Sequence, residues 1–121
     1  NRGVAIKDGY VLRGTPDGYL FALDSANGNL LWARQVADPW LGETFTMAPI
    51  VFDDLVMIGP AGSENAISGW VAAFSIADGD LVWKFMTVPE AAAGGGKTWG
   101  NPKGIPLGGG AVWTPLSMDV E

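Results

Sequence analysis

Along most of this chain, apolar residues come in runs of three to six that end at Gly, Asp or Asn. Gly9-Tyr-Val-Leu-Arg-Gly14 and Asp54-Leu-Val-Met-Ile-Gly59 carry large apolar residues and stop at a glycine, the pattern of short, half-buried strands. Tyr19-Leu-Phe-Ala-Leu23 and Trp70-Val-Ala-Ala-Phe74 follow as their partners. A tight turn is predicted at Asn27-Gly28 and at Asp78-Gly79, dipeptides that accept positive φ in hairpins. Leu30-Leu-Trp32 and Leu81-Val-Trp83 then return as outer strands. An innermost strand is predicted ahead of each pair, over residues 1–7, 46–52 and 113–118, with turns at Asp8-Gly9, Asp53-Asp54 and Asp119-Val120. A helical reading fails because Gly or Pro interrupts every long window.

The runs repeat. Ala22-Leu-Asp-Ser-Ala-Asn-Gly28-Asn-Leu-Leu-Trp32 aligns with Ala73-Phe-Ser-Ile-Ala-Asp-Gly79-Asp-Leu-Val-Trp83, the two tryptophans being 51 residues apart. A period near fifty belongs to propellers and related arrays. The expected fold is therefore all-β: a partial propeller of about two four-stranded antiparallel blades plus the start of a third. Residues 1–43 form the first blade, 44–88 the second, 89–110 a Gly/Pro-rich loop and 111–121 the inner strand of the third. The loop holds eight Gly and three Pro and is expected to be a mobile or functional excursion over one face. A chain that starts without Met and stops in mid-blade is expected to be a piece of a larger closed ring, and its unpaired edges to favour self-association.

Composition narrows the function. Net charge is −6 without a basic run, which argues against nucleic acid. No apolar run is long enough to cross a bilayer. Cysteine is absent, so thiols say nothing of redox compartment. With no His either, a Ser-His-Asp set is excluded. Asp17, Asp24, Asp38, Asp53 and Asp78 fall in turns, where Asp is expected for backbone reasons. Ala91-Ala-Ala-Gly-Gly-Gly96-Lys97-Thr98 fits a relaxed phosphate-loop pattern, but the following Trp99-Gly-Asn-Pro-Lys-Gly-Ile-Pro106 cannot start the helix that such a loop needs.

The A-x-D-x-x-x-G-x-x-x-W pattern resembles the tryptophan-docking motif of repeats in pyrroloquinoline-quinone (PQQ) enzymes, and four further stretches resemble the PQQ alcohol dehydrogenases in particular. They are Asn1-Arg-Gly-Val-Ala5, Thr44-Phe-Thr-Met-Ala-Pro49, Gly62-Ser-Glu64 with Ser68-Gly-Trp70, and Gly108-Gly-Gly-Ala-Val-Trp113. By this resemblance Arg2 pairs with a PQQ carboxylate, Thr46 touches the cofactor, and Gly62 and Ser63 lie beside it. Glu64 ligates Ca2+ or a lanthanide, and Trp113 forms the floor under the quinone ring. The chain departs from the family pattern at Ala61, Ser63 and Ser68, where Ser, Ala and Arg are usual. The resemblance implies an eight-bladed, periplasmic enzyme that oxidises primary alcohols by hydride transfer to PQQ, with cytochrome c as an electron acceptor. By the resemblance the family's adjacent Cys pair falls just before Asn1, and its Asn ligand and Asp base beyond Glu121, so no catalytic residue is assigned here, and cofactor and metal are expected in the full-length protein. The alternative is a non-catalytic propeller of the same repeats serving as a protein-binding scaffold.

Residue chemistry bears on each position. An Arg at the start of an inner strand faces the propeller axis, where a guanidinium needs an anion such as a carboxylate. Thr46 and Trp113 stand at the matching starts of the next two strands. Thr46 reads equally as a β-former satisfying a backbone group; for Trp113, a flat quinone calls for a flat apolar wall. Glu64 lies in a six-residue insertion, since Gly14 to Tyr19 is five steps and Gly59 to Trp70 is eleven. It reads as a ligand for a hard cation or as a solvated turn carboxylate.

Overall fold

The computed structural model describes residues 2–90, 94–101, 103 and 108–121. Two four-stranded antiparallel sheets form, each a simple meander. The first contains β1 (Ala5–Lys7), β2 (Tyr10–Gly14), β3 (Tyr19–Asp24) and β4 (Leu30–Gln35). The second contains β5 (Ile50–Phe52), β6 (Leu55–Ile58), β7 (Trp70–Ser75) and β8 (Leu81–Met86). Both carry a register shift at the same place in the repeat, Ala22/Leu23 and Ala73/Phe74. There is no α-helix among the described residues, only short 3-10 turns.

Two strand expectations need correction. The inner strands begin later than expected, at Ala5 and Ile50, because each pairs with only three residues of its neighbour. Residues 113–118 lie outside any ladder, since a strand needs a partner and none of the described residues pairs with them as a strand. The hairpins between third and fourth strands are also wider than expected. Gly28 and Gly79 take positive φ, 74° and 76°, but Asn27 and Asp78 do not. The Gly28 N–H donates to the Asp24 carbonyl at 2.8 Å and the Asp24 carboxylate accepts from the Ala26 N–H at 2.8 Å. A four-residue turn closed by its glycine results. The mobility expected of the 89–110 loop concerns in part residues 91–93, 102 and 104–107, which lie outside the described residues. Residues Gly94–Thr98, within the phosphate-loop look-alike, form a 3-10 turn.

The sheets pack face to face. Ala5, Leu12, Ala22 and Trp32 are successive cross-strand neighbours on one face of the first sheet. They join Val56, Ile58, Trp70, Ala72 and Phe74 of the second sheet in one core, together with Phe45 and Met47 from the connection. Trp32 closes the outer end of this seam. Its indole N–H donates to the Ile76 carbonyl at 2.8 Å. Its ring lies so close to Gly79 that a Cβ there would stand 2.6 Å from Trp32 Cε3. Trp83 occupies the same repeat position but turns to the other side of the second sheet, in the row Ile50, Met57, Ala73, and is 41% exposed where Trp32 is 7%.

This asymmetry has a measurable consequence. Trp32→Ala should cost about 3–5 kcal/mol by emptying the seam, whereas Trp83→Ala should cost about 1 kcal/mol or less. Urea unfolding followed by circular dichroism checks the contrast; equal losses would contradict the seam.

Candidate functional site

Three segments remote in sequence meet at the inner ends of the sheets. Arg2 precedes β1, Thr46 precedes β5, and Trp113 follows the glycine run 108–110. The Arg2 N–H donates to the Thr46 carbonyl at 2.9 Å. Both side chains then reach the Trp113 carbonyl, Thr46 Oγ1 at 2.9 Å and Arg2 Nη1 at 3.1 Å. The guanidinium carbon lies 5.0 Å from the centroid of the Trp113 ring, a cation–π distance. Backbone bonds bring Trp113 here: Gly109 N–H to the Ile67 carbonyl at 2.6 Å and Val112 N–H to the Pro60 carbonyl at 2.9 Å.

The inserted loop supplies the facing wall. Ala61 and Thr44 exchange two backbone hydrogen bonds, of 2.7 and 3.2 Å. Gly62 follows at φ 129° and leads into the 3-10 turn Ser63–Asn65. Only glycine fits at 62, because a Cβ would stand 2.3 Å from the Gly42 carbonyl oxygen. Ala66 ends the turn in the left-handed region at φ 59°, its N–H bonding the Ser63 carbonyl at 3.1 Å. Ser63 Oγ accepts from the Ala111 N–H at 3.1 Å. The Glu64 side chain is exposed, with no hydrogen bond or ion pair to another described residue.

A cleft of about 320 Å³ lies between these walls, lined by Arg2, Thr46, Ala61, Gly62, Ser63, Glu64, Ala111 and Trp113. All six positions singled out in the sequence thus border one space, at the small end of the roughly 300–1,000 Å³ usual for small-molecule sites. Its chemistry is mixed. Arg2 keeps four of its five N–H groups for an anion after the bond to Trp113. Ser63 accepts from Ala111 and retains its hydroxyl proton. Trp113, half exposed, offers a flat apolar face, and Glu64 offers two carboxylate oxygens. A planar polycarboxylate fits this set. No group of three Asp, Glu, His or Cys side chains able to hold a metal occurs among the described residues, so Glu64 would be one ligand of several.

Sequence reasoning did not find every part. Ala111 lines the cleft without any chemical signal of its own. Glu43 bonds the Trp70 indole N–H through Oε1 at 2.9 Å and the Asp38 N–H through Oε2 at 2.7 Å. An acid directly before the T-x-T stretch was the available cue. Three of the turn aspartates act on backbone as expected: Asp24 accepts from Ala26 N–H at 2.8 Å, Asp38 caps the turn at Trp40 N–H, 2.9 Å away, and Asp78 accepts from Asp80 N–H at 2.9 Å; the Asp17 carboxylate instead accepts from the Thr15 hydroxyl.

Comparison with known proteins adds an independent line. A family model described as the β-propeller domain of glucose/ethanol/alcohol dehydrogenases (PQQ) matches residues 35–121. The chain is 38% identical to quinohemoprotein alcohol dehydrogenase ADH IIB of Pseudomonas putida, over 100% of this chain and 19% of that protein. It therefore spans about a fifth of that relative's length. A europium-containing methanol dehydrogenase superposes with a TM-score of 0.90 at 34% identity, over 99% of this chain and 24% of that one. BamB of Moraxella catarrhalis superposes with a TM-score of 0.58 at 27% identity, over 71% of this chain and 24% of that one.

The loop geometry predicts a ranking of substitutions. Gly62→Ala should destabilise by more than about 1 kcal/mol, through both its φ and its contact with Gly42. Ser63→Ala, which removes one exposed hydrogen bond, should cost at most about 1 kcal/mol. Chemical unfolding of the two variants decides; a smaller loss at Gly62 would overturn the geometry.

Proposed function

The chain belongs to the PQQ family of glucose, ethanol and alcohol dehydrogenase β-propellers, and we propose that it forms part of the cofactor cleft of a quinoprotein that oxidises primary alcohols. The convergence of Arg2, Thr46, Gly62, Ser63, Glu64 and Trp113 on one cleft carries this reading. When bound, PQQ supplies an acceptor for the hydride of the alcohol carbon. The chain's own part is to bind and orient. Arg2 would hold a cofactor carboxylate through its guanidinium N–H groups. Trp113 would be the flat wall under the cofactor, with Gly62 and the Ser63 hydroxyl beside it. The Thr46 hydroxyl, bonded to the Trp113 carbonyl, would keep that wall in place and offer lone pairs to the cofactor. Glu64 would contribute an anionic oxygen ligand to Ca2+ or a lanthanide, with the remaining ligands and the base for the substrate hydroxyl supplied by the rest of the protein. The reading extends to a periplasmic enzyme that passes electrons to cytochrome c. A non-catalytic scaffold accounts for the sheets and the Trp32 seam, but not for a guanidinium, a hydroxyl and a carboxylate around one cleft.

The test uses the protein that carries this chain. Glu64→Ala should abolish cation-dependent activity while leaving the melting temperature of the metal-free protein nearly unchanged, since exposed positions move stability by about 0.5 kcal/mol or less. High calcium should restore part of the activity. Trp113→Ala should lower quinone absorbance while changing the stability of the cofactor-free protein by about 1 kcal/mol or less, the side chain being half exposed. Wild-type calcium-dependent turnover in Glu64→Ala would reduce Glu64 to a solvated turn residue.

A further inference from the structure

We propose that Asn65, braced on the connection 38–44 between the two sheets, is the residue that positions the Glu64 carboxylate. This rests on the reading of Glu64 as a cation ligand. Glu64 is the middle residue of a three-residue turn, and its carboxylate has no bond to another described residue that would aim it. Its direction is therefore set by how its two neighbours are held. On one side Ser63 is tied to the Ala111 N–H at 3.1 Å. On the other, Asn65 Nδ2 donates to the Gly42 carbonyl at 3.2 Å.

The brace behind Asn65 is rigid. Gly42 stands in the left-handed region at φ 91°, and a Cβ there would lie 2.4 Å from the Asn65 Cβ, so the Asn65 side chain packs directly on the Gly42 backbone. The same Gly42 carbonyl faces Gly62, and the Thr44–Ala61 pair closes the other end of the contact. Glu43 anchors the connection in turn, to Trp70 of the second sheet and to the Asp38 backbone. Ala66 adds a reason for a brace. A non-glycine residue at φ 59° is strained, and such strain persists only where the surroundings hold it. The blade itself does not require any of this. In the first sheet the same junction is the short turn from Gly14 to Tyr19, closed by the Thr15 N–H to Tyr19 carbonyl bond of 2.9 Å.

Three variants of the protein that carries this chain test the role: Asn65→Leu, Asn65→Ala and Asn65→Gln, with Glu64→Ala alongside. Europium(III) luminescence titration with calcium competition reads cation affinity, and amide hydrogen exchange of residues 62–66 in the metal-free protein reads loop order. Loss of an orienting partner typically weakens metal affinity by about 10–100-fold. Asn65→Leu and Asn65→Ala should show a loss in that range and faster exchange at residues 64–66, while Asn65→Gln, which keeps the amide donor, should recover part of both. Wild-type affinity and exchange in Asn65→Leu and Asn65→Ala, with affinity lost in Glu64→Ala, would overturn the positioning role alone. Unchanged affinity in Glu64→Ala would instead remove the ligand reading beneath it.

Discussion

The two sheets are held face to face by one shared core, and Trp32 closes its outer end. Trp32 lies across the outer end of the seam, donates its N–H to the Ile76 carbonyl, and rests against a turn that has no side chain at Gly79. A buried indole needs a partner for its N–H, so its apolar packing and its hydrogen bond must be satisfied by the same neighbour. That requirement ties the fourth strand of the first sheet to the Ile76–Gly79 segment of the second. The inner ends then come close enough for the Arg2 N–H to reach the Thr46 carbonyl. The cleft is thus positioned by contacts on the far side of the core.

At the inner ends the chain uses its backbone as the frame and leaves side chains free for chemistry. The Trp113 carbonyl collects donors from Arg2 and Thr46, which fixes the aromatic wall without occupying most of the guanidinium. The facing loop is secured by main-chain pairs and close glycine contacts, leaving the Glu64 carboxylate uncommitted. Uncommitted polar groups around a fixed wall suit a ligand that brings its own charges.

Much of this was legible in the sequence because it is periodic. The 51-residue spacing of Trp32 and Trp83 gave the blades, while Arg2, Thr46 and Trp113 were singled out by the family-like stretches that carry them. Glu64 stood out because its insertion breaks the period. What was not legible is aperiodic. The bonds from Glu43 to Trp70 and from Asn65 to Gly42 join two irregular segments, for which no repeat predicts the register. Residues 113–118 carry a strand pattern, yet pattern without a partner yields no ladder. The width of the Asp24 to Asn29 turn was likewise decided by the Asp24 carboxylate capturing the Ala26 N–H, a local competition that the Asn-Gly dipeptide does not reveal.

The distance in sequence between the parts of the cleft also bears on how it comes into being. Each sheet is a meander whose strands pair with their immediate successors, so it closes only short loops. The bond from Arg2 to Trp113 spans 111 residues, a far longer loop than any within the sheets. Loop closure disfavours such contacts until shorter ones have formed. The sheets should therefore assemble first and the cleft last, after the folding barrier has been crossed. Substitutions that damage the cleft would then accelerate its opening while leaving the rate of folding almost untouched. The residues that border the cleft are thereby free to vary without endangering the chain's route to its fold.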